Sequence, residues 1–195
     1  MTAEPRIYAL GHSTRPLDEL IALLDRHGIT TLADVRTIPR SRRNPQFNRE
    51  ALTAALAGHG IAYVHLARLG GLRRGLGSAS PNTAWRNASF RGYADYMLTP
   101  EFAEGLGELL ELAAHGPVAM MCAEAVPWRC HRSLIADALL VRGITVQHIQ
   151  DLRRCTPHRL TPFARVDGER VTYPAEVTAD TAADPHAPAP DASPR

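Results

Sequence analysis

The chain has 195 residues, of which 45% are hydrophobic, and a formal net charge of +2. This length and composition suit one domain with a sizeable core, and no apolar run reaches the ~18 residues of a membrane helix. The first residues lack a basic start followed by an apolar region, so no secretion signal is expected. Three cysteines fit a reducing compartment better than a disulfide framework. We therefore expect a cytoplasmic protein without a membrane partner.

The positive charge comes from arginine alone, because all 22 basic residues are arginine. Between residues 36 and 74 there are eight arginines and one acid, Glu50, which is a local charge of +7. Planar, permanently charged guanidinium groups suit phosphates and carboxylates. The stretch therefore predicts either an anionic partner or a solvated basic face.

Short apolar runs alternate with helical patterns along the chain. Nearly continuous apolar character predicts buried strands at 7–11, 31–36, 62–66, 118–124 and 145–149. Apolar residues at helical spacing, bounded by capping residues or glycine, predict helices at 16–28, 48–60, 99–116 and 130–143. This alternation indicates an α/β fold: a mostly parallel, Rossmann-like sheet flanked by helices.

Three segments depart from the alternation. Residues 69–97 are rich in glycine, serine and arginine and are too long for an idle connection, which predicts a lid or a binding loop. Residues 163–173 carry Asp167-Gly168 between two alternating runs, which predicts a small C-terminal hairpin. Residues 174–195 have almost no large apolar residues, which predicts a disordered Pro/Ala/Asp-rich tail after one domain at 1–173.

Polar residues gather where the predicted strands end. In an open parallel sheet the ligand lies outside the carboxyl ends of the strands, so these residues should converge on one edge. We predict that the loops 36–43 and 122–132 face each other with an anion between them. The predicted anion-binding residues are His12, Ser13, Arg36, Arg40, Arg42, Arg43 and Arg132.

Cys122 is the first candidate for catalysis. A thiol becomes a thiolate beside cations or a helix start, and Arg129, His131 and Arg132 follow it closely. Cys122 is thus predicted to be a nucleophile, with Glu124 and His131 as the other catalytic candidates. The alternatives are a buried structural cysteine, and a Glu124–Arg132 ion pair.

Two further roles for this cysteine turn remain open. Cys130 could resolve a sulfenic acid formed on Cys122. A metal is the one cofactor considered, with ligands from Cys122, Cys130, His131 and His12, although this spacing is not a usual zinc pattern. Cys155 lies in a basic loop and is interpreted as structural.

Several of these stretches together resemble a known family. They include "GHST" (11–14), "DVRTIPRSRRNPQFN" (34–48), "YVHLARLGG" (63–71), "YADYMLTPEF" (93–102), the run from Met121 to Ile149, and "HRLTPFARV" (158–166). The chain resembles the family called domain of unknown function 488 over about residues 6–174. The resemblance implies an α/β fold and draws attention to Cys122, Glu124, Cys130, His131 and Arg132. It implies no particular reaction.

Two classes of function are consistent with the sequence. The first is a cytoplasmic enzyme acting on an anionic small molecule, phosphate-like or nucleotide-like, with arginines as clamps. The second is a nucleic-acid-binding or redox-sensing regulatory module that uses the arginine-rich loop. The clustering of polar residues at strand ends favours the enzyme, whereas the +7 stretch favours nucleic acid.

Overall fold

A computed structural model describes residues 7–175 of the chain. The strands are β1 (Ile7–Gly11), β2 (Thr31–Asp34), β3 (Ala62–His65), β4 (Val118–Cys122), β5 (Val146–Ile149), β6 (Cys155–Pro157), β7 (Arg165–Asp167) and β8 (Arg170–Thr172). The α-helices are α1 (Leu17–Arg26), α2 (Arg49–Ala57), α3 (Ala88–Tyr96), α4 (Pro100–His115) and α5 (Arg132–Leu140).

Six strands form one sheet in the order β3-β2-β4-β1-β5-β6. The first five in this order are parallel, and β6 runs antiparallel to β5 at the edge. The predicted mostly parallel α/β fold is confirmed. Helix α3 and strand β6 were not predicted, because a nine-residue helix inside a glycine-rich segment and a three-residue edge strand have weak apolar periodicity.

The sheet is covered on both faces, and alternate strand residues point to opposite cores. Leu32 and Met121 belong to the core under α1 and α2. Ala33 and Met120, one residue away on the same strands, belong to the core under α3, α4 and α5. Burial on both faces explains the unbroken apolar runs of the central strands.

The helix boundaries follow local capping chemistry. At the start of α4, the side chain of Thr99 accepts a hydrogen bond from the amide of Phe102, as the Thr-Pro pattern predicts. After α1, Gly28 takes a φ of 63° and the amide of Ile29 returns to the carbonyl of Leu24 at 3.0 Å. Glycine adopts this left-handed conformation without strain, so it reverses the chain toward β2.

The C-terminal hairpin is also confirmed, with Asp167 paired to Arg170 across a two-residue loop. Beyond it, the amide of Ala175 donates to Oγ1 of Thr83 at 2.9 Å, so the start of the predicted tail contacts the body. Residues 176–195, where the rest of the predicted tail falls, lie outside the described residues. Among the helices of residues 7–175, none is long and apolar enough to cross a membrane.

Candidate functional site

The carboxyl ends of β1, β4 and β2 lie side by side because β4 sits between the other two strands. Their pairing continues into the loops. The amide of His12 donates to the carbonyl of Cys122 at 2.9 Å, and the amide of Val35 donates to that of Met121 at 3.0 Å. The loops after three strands are therefore held together at one edge, where doubly wound sheets bind ligands.

A cleft of about 600 Å³ opens at this edge. The loops 36–43 and 122–132 both line it, as the sequence predicts. The predicted site residues in its wall are His12, Ser13, Arg36, Arg40, Arg43, Cys122, Glu124 and His131. Two predicted residues are placed elsewhere. Arg132 is completely buried and does not line the cleft. Arg42, in the loop 36–43, is exposed but also does not line the cleft.

Asp34 and Arg36 form a buried, bidentate ion pair at the end of β2. Arg36 Nε donates to Asp34 Oδ1 at 2.9 Å, and Nη2 donates both to Asp34 and to the carbonyl of Phe47 at 2.8 Å. Tyr63 adds a hydroxyl donor to the same carboxylate at 2.7 Å. Burial alone would lower the pKa of Arg36, but the hydrogen bonds and charge of Asp34 reverse this and raise it. Because Arg36 also holds the Phe47 carbonyl, the pair fixes the two ends of the loop between them.

His12 is buried beside this pair. Its Nδ1 donates to the carbonyl of Ser13 at 2.8 Å, which leaves Nε2 as an acceptor 3.4 Å from Arg36 Nη1. The ring stacks on Phe47 with centroids 4.2 Å apart. Burial lowers the pKa of His12, and the charge of Arg36 adds to this effect. His12 is therefore a neutral imidazole at pH 7. The next residue, Ser13, has a positive φ of 49°, a backbone conformation that is uncommon for serine.

The two cysteines of the cleft differ in their electrostatics. Burial raises the pKa of Cys122, and a hydrogen bond with Cys130 adds to the rise. Burial alone would also raise the pKa of Cys130. There, however, hydrogen bonds with Cys122 and His131, together with the charge of Arg132, outweigh burial and hold this pKa well below the ordinary thiol value. The prediction that Cys122 is a nucleophile stays a prediction, but these interactions favour Cys130 as the thiolate.

His131 is held in one orientation by its neighbours. Its Nε2 donates to the carbonyl of Val35 at 2.9 Å, and its Nδ1 lies 3.6 Å from Cys130 Sγ. The ring packs against Tyr93 with centroids 5.0 Å apart. A Cβ on Gly71 would lie 2.6 Å from His131 Nδ1, so only glycine fits there.

Arg132 contacts the cysteine turn through its guanidinium. Nε donates to Cys130 Sγ at 3.3 Å, and Nη2 donates to the main-chain carbonyl of Glu124 at 2.7 Å. The ion pair between Arg132 and the Glu124 carboxylate, considered from the sequence, is not formed. β4 ends at Cys122, so the Glu124 side chain lies beyond the strand and is exposed in the cleft.

The cleft carries an excess of positive charge. Within residues 7–175, no hydrogen bond or ion pair joins the side chains of Arg40, Arg43 or Arg129 to another residue. These three arginines face one carboxylate, that of Glu124, among the described lining residues. The arrangement therefore favours a negatively charged ligand.

Part of the cleft was not predicted from the sequence. Ile38, Leu72, Phe90 and Tyr93 give it an apolar and aromatic wall. Three of them belong to the segment 69–97, whose length already indicated a binding loop. The aromatic spacing within α3 is the local signal that could have identified Phe90 and Tyr93.

The four-ligand metal set considered from the sequence is not assembled. Among residues 7–175, no group of three or more His, Cys, Asp or Glu side chains is placed to hold a metal ion. The lone-pair nitrogens of the two histidines lie beside other partners, His131 Nδ1 beside Cys130 Sγ at 3.6 Å and His12 Nε2 beside Arg36 Nη1 at 3.4 Å.

The fold and the cleft define a doubly wound α/β protein with a strand-end site rich in arginine, cysteine and histidine. The chain belongs to the family described as domain of unknown function DUF488, whose family model matches residues 16–139. This confirms the resemblance seen in the sequence, over a shorter stretch that excludes "GHST" and "HRLTPFARV". No curated protein matches the chain, and no solved structure does.

Proposed function

We propose that this protein is an enzyme acting on a phosphate-bearing or nucleotide-like anion bound in the strand-end cleft. The observation that carries the proposal is the convergence of Arg40, Arg43 and Arg129 without partners in the described chain, beside Cys122, Glu124, Cys130 and His131. Guanidinium groups bind phosphate through paired N–H donors, and a thiol, a carboxylate and an imidazole supply nucleophilic and acid–base chemistry.

The apolar residues of the lining support a substrate that also has an apolar or planar part. Ile38 is 63% exposed and Leu72 is 73% exposed, so both offer apolar surface to a ligand in the cleft. Phe90 adds a half-buried aromatic ring to the lining. A nucleotide matches this wall because it presents a charged phosphate at one end and a planar base at the other.

In this proposal Glu124 acts as the acid–base group, since its carboxylate is exposed within the cleft. His131 is the base for the thiols. Arg36 pairs with Asp34, and His12 contacts Arg36, so these residues keep the base of the cleft in place. The reaction needs reduced thiols, and the three cysteines are free. A cytoplasmic setting is therefore part of the proposal.

Thermal unfolding with added ligand tests the anion site. Phosphate and AMP should raise the melting temperature beyond a chloride control of equal ionic strength, because a ligand that binds only the folded state stabilises it. Arg40→Ala, Arg43→Ala and Arg129→Ala should each reduce the gain. Arg42→Ala is the matched control from the same loop and should keep it. Equal gains in all four variants, or none beyond chloride, would contradict the proposal.

Conversion of substrate tests the enzymatic part separately. Purified protein should convert one or more members of a panel of nucleoside mono- and diphosphates, followed by chromatography, and Glu124→Gln should abolish the conversion. If phosphates bind through Arg40 and Arg43 but no member of the panel changes, the cleft is a binding site and the enzyme proposal fails.

A second candidate is binding of single-stranded nucleic acid across the cleft mouth. Trp128 favours it, because this side chain is 71% exposed and directly precedes Arg129 of the cleft wall. An exposed tryptophan beside arginines can stack a base while the cations grip phosphates. A salt titration of oligonucleotide binding should then give a steep log–log slope, and Trp128→Ala should weaken binding by fivefold or more, roughly 1 kcal/mol. A flat salt dependence would exclude this candidate.

A further inference from the structure

We propose that Cys130, rather than Cys122, is the nucleophilic thiolate of the cleft, with His131 as its base and Arg132 as its counter-ion. The inference rests on the proposed function, because the nucleophile would attack the anion bound beside it. Cys122, which the sequence predicted to be the nucleophile, loses that role, and Cys130 takes it.

His131 is held as a single tautomer. Val35 presents a carbonyl oxygen to Nε2 at 2.9 Å, and a carbonyl only accepts, so Nε2 carries the proton. In the neutral ring Nδ1 is then the lone-pair nitrogen, and it lies 3.6 Å from Cys130 Sγ. A thiol beside a base that a third group orients is the usual arrangement of an activated nucleophile.

Arg132 is a buried cation. Its side chain is completely buried, yet no carboxylate pairs with it anywhere in residues 7–175. Its two hydrogen-bond acceptors are the neutral carbonyl of Glu124 and the sulfur of Cys130. A buried guanidinium without an anion is strongly unfavourable, and the Cys130 sulfur is the one acceptor here that can become an anion.

Cys122 is placed to assist rather than to attack. Its sulfur accepts the amide of Glu124 at 3.3 Å, and burial favours its protonated form. Its thiol proton has two acceptors, the Glu124 carbonyl at 3.8 Å and the Cys130 sulfur, and donation to that sulfur favours negative charge there. Two more titratable groups face Cys130 from other elements: Tyr93 on α3 and His148 on β5. Burial keeps both neutral at pH 7, so neither competes for the charge.

The reaction uses the bound anion and one water molecule. His131 Nδ1 takes the thiol proton, and Cys130 Sγ forms a bond to the electrophilic atom of the bound anion. The bond from that atom to its leaving group breaks with its electron pair, and the leaving group receives the proton from His131. Glu124 then takes a proton from water, whose oxygen attacks the same atom and breaks the sulfur–substrate bond, and that proton restores the Cys130 thiol.

Direct titration of each thiol tests the inference without requiring a substrate. The Cys122→Ser/Cys155→Ser variant retains Cys130 alone, and Cys130→Ser/Cys155→Ser retains Cys122 alone. Thiolate absorbance near 240 nm should appear at lower pH in the first variant than in the second, and melting curves confirm that both are folded. If Cys122 ionises at the same or a lower pH than Cys130, the inference is overturned.

His131→Gln examines the base. Glutamine keeps an N–H donor for the Val35 carbonyl but has no lone-pair nitrogen at the Nδ1 position. In the Cys122→Ser/Cys155→Ser background it should reduce iodoacetamide alkylation of Cys130 at pH 6 by roughly tenfold, as expected when a thiol returns toward its ordinary pKa. An unchanged rate at pH 6 would show that His131 only fills space.

The outcome also separates this inference from the proposed function. If phosphate slows the alkylation of Cys130, the anion binds beside the thiolate, and both the proposed function and this inference are supported. Arginine-dependent phosphate binding with ionisation at Cys122 would keep the anion site and overturn the inference. Ionisation at Cys130 without any phosphate binding would keep the nucleophile and refute the anion site.

Discussion

Arg132 Nε donates to Cys130 Sγ across 3.3 Å, two residues apart in the chain and at the first turn of α5. The guanidinium is fully buried, and the sulfur lines the cleft. This contact links the buried core to the candidate site, because the Arg132 cation favours a negative charge on the Cys130 sulfur and that charge in turn stabilises the buried cation. The stability of α5 and the reactivity of the cleft should therefore change together.

A double-mutant cycle measures this coupling. Cys130→Ala leaves the buried guanidinium without its anion and should lower the free energy of unfolding by about 3 kcal/mol. Cys130→Ala/Arg132→Met removes the charge as well and should recover at least about 1 kcal/mol of the loss. Urea unfolding at pH 7 gives both values. Effects that simply add, with the double variant less stable than either single one, would refute the pairing.

Asp34→Asn should be strongly destabilising. The substitution keeps the shape of the side chain but leaves the buried guanidinium of Arg36 without its carboxylate, a loss of about 3–5 kcal/mol in the free energy of unfolding. Tyr63→Phe is the control, since it removes only one hydrogen bond to the same carboxylate and should lose about 1 kcal/mol. Similar losses in the two variants would mean that the ion pair contributes little.

Gly71→Ala should disturb His131 specifically. The new Cβ would lie 2.6 Å from Nδ1, so the ring must move away from Cys130. Gly107→Ala on α4 is the matched control, because nothing lies within 4 Å of its Cβ and alanine favours the helix by up to about 1 kcal/mol. The His131 ring resonances in NMR spectra should shift in the first variant alone. Unchanged resonances in Gly71→Ala would contradict the close contact.

Stability should fall between pH 6.5 and pH 4 because of His148. Burial lowers the pKa of His148 to about 4 from 6.5, and the charges of His158 and Arg132 add to the shift. In this window the unfolded chain binds a proton that the folded protein does not, so the free energy of unfolding decreases as the pH falls.

His148→Gln tests this assignment, because glutamine retains an N–H donor for His158 and does not titrate. The variant should show a flatter pH dependence in urea unfolding from pH 7 to pH 4. Some slope should remain, since burial also lowers the pKa of His12. A variant with the same slope as the wild type would assign the effect to other groups.

Truncation after Ala175 should leave the melting temperature unchanged, because the composition of residues 176–195 provides little apolar surface to bury. Truncation after Thr172 should lower it by several degrees, since it removes the buried ring of Tyr173, whose hydroxyl donates to Asp137 at 2.7 Å. A clear fall in the first truncation would show that the tail contributes to folding.

Much of the fold was predictable because the signals are local. Apolar runs, glycine stops and the Thr99 cap predicted five strands, four helices and the hairpin within a few residues. They also predicted that His12, Arg36 and Cys122 would meet at one edge, since parallel strands share the direction of their carboxyl ends. These inferences need only the periodicity of each element and the handedness of its connections.

Long-range geometry decided the rest. Neighbouring residues of one loop differ in role, with Arg43 in the cleft wall and Arg42 outside it, because the path of the loop depends on the buried Asp34–Arg36 pair. The choice between the two cysteines likewise depends on the orientation of His131. That orientation comes from the carbonyl of Val35, which lies 96 residues away along the chain. Local sequence patterns were enough to predict the strands and the edge of the sheet where the site lies. The exact lining of the cleft and the pairing of its side chains depend on the folded structure, because a hydrogen bond requires atomic positions that residue order does not specify.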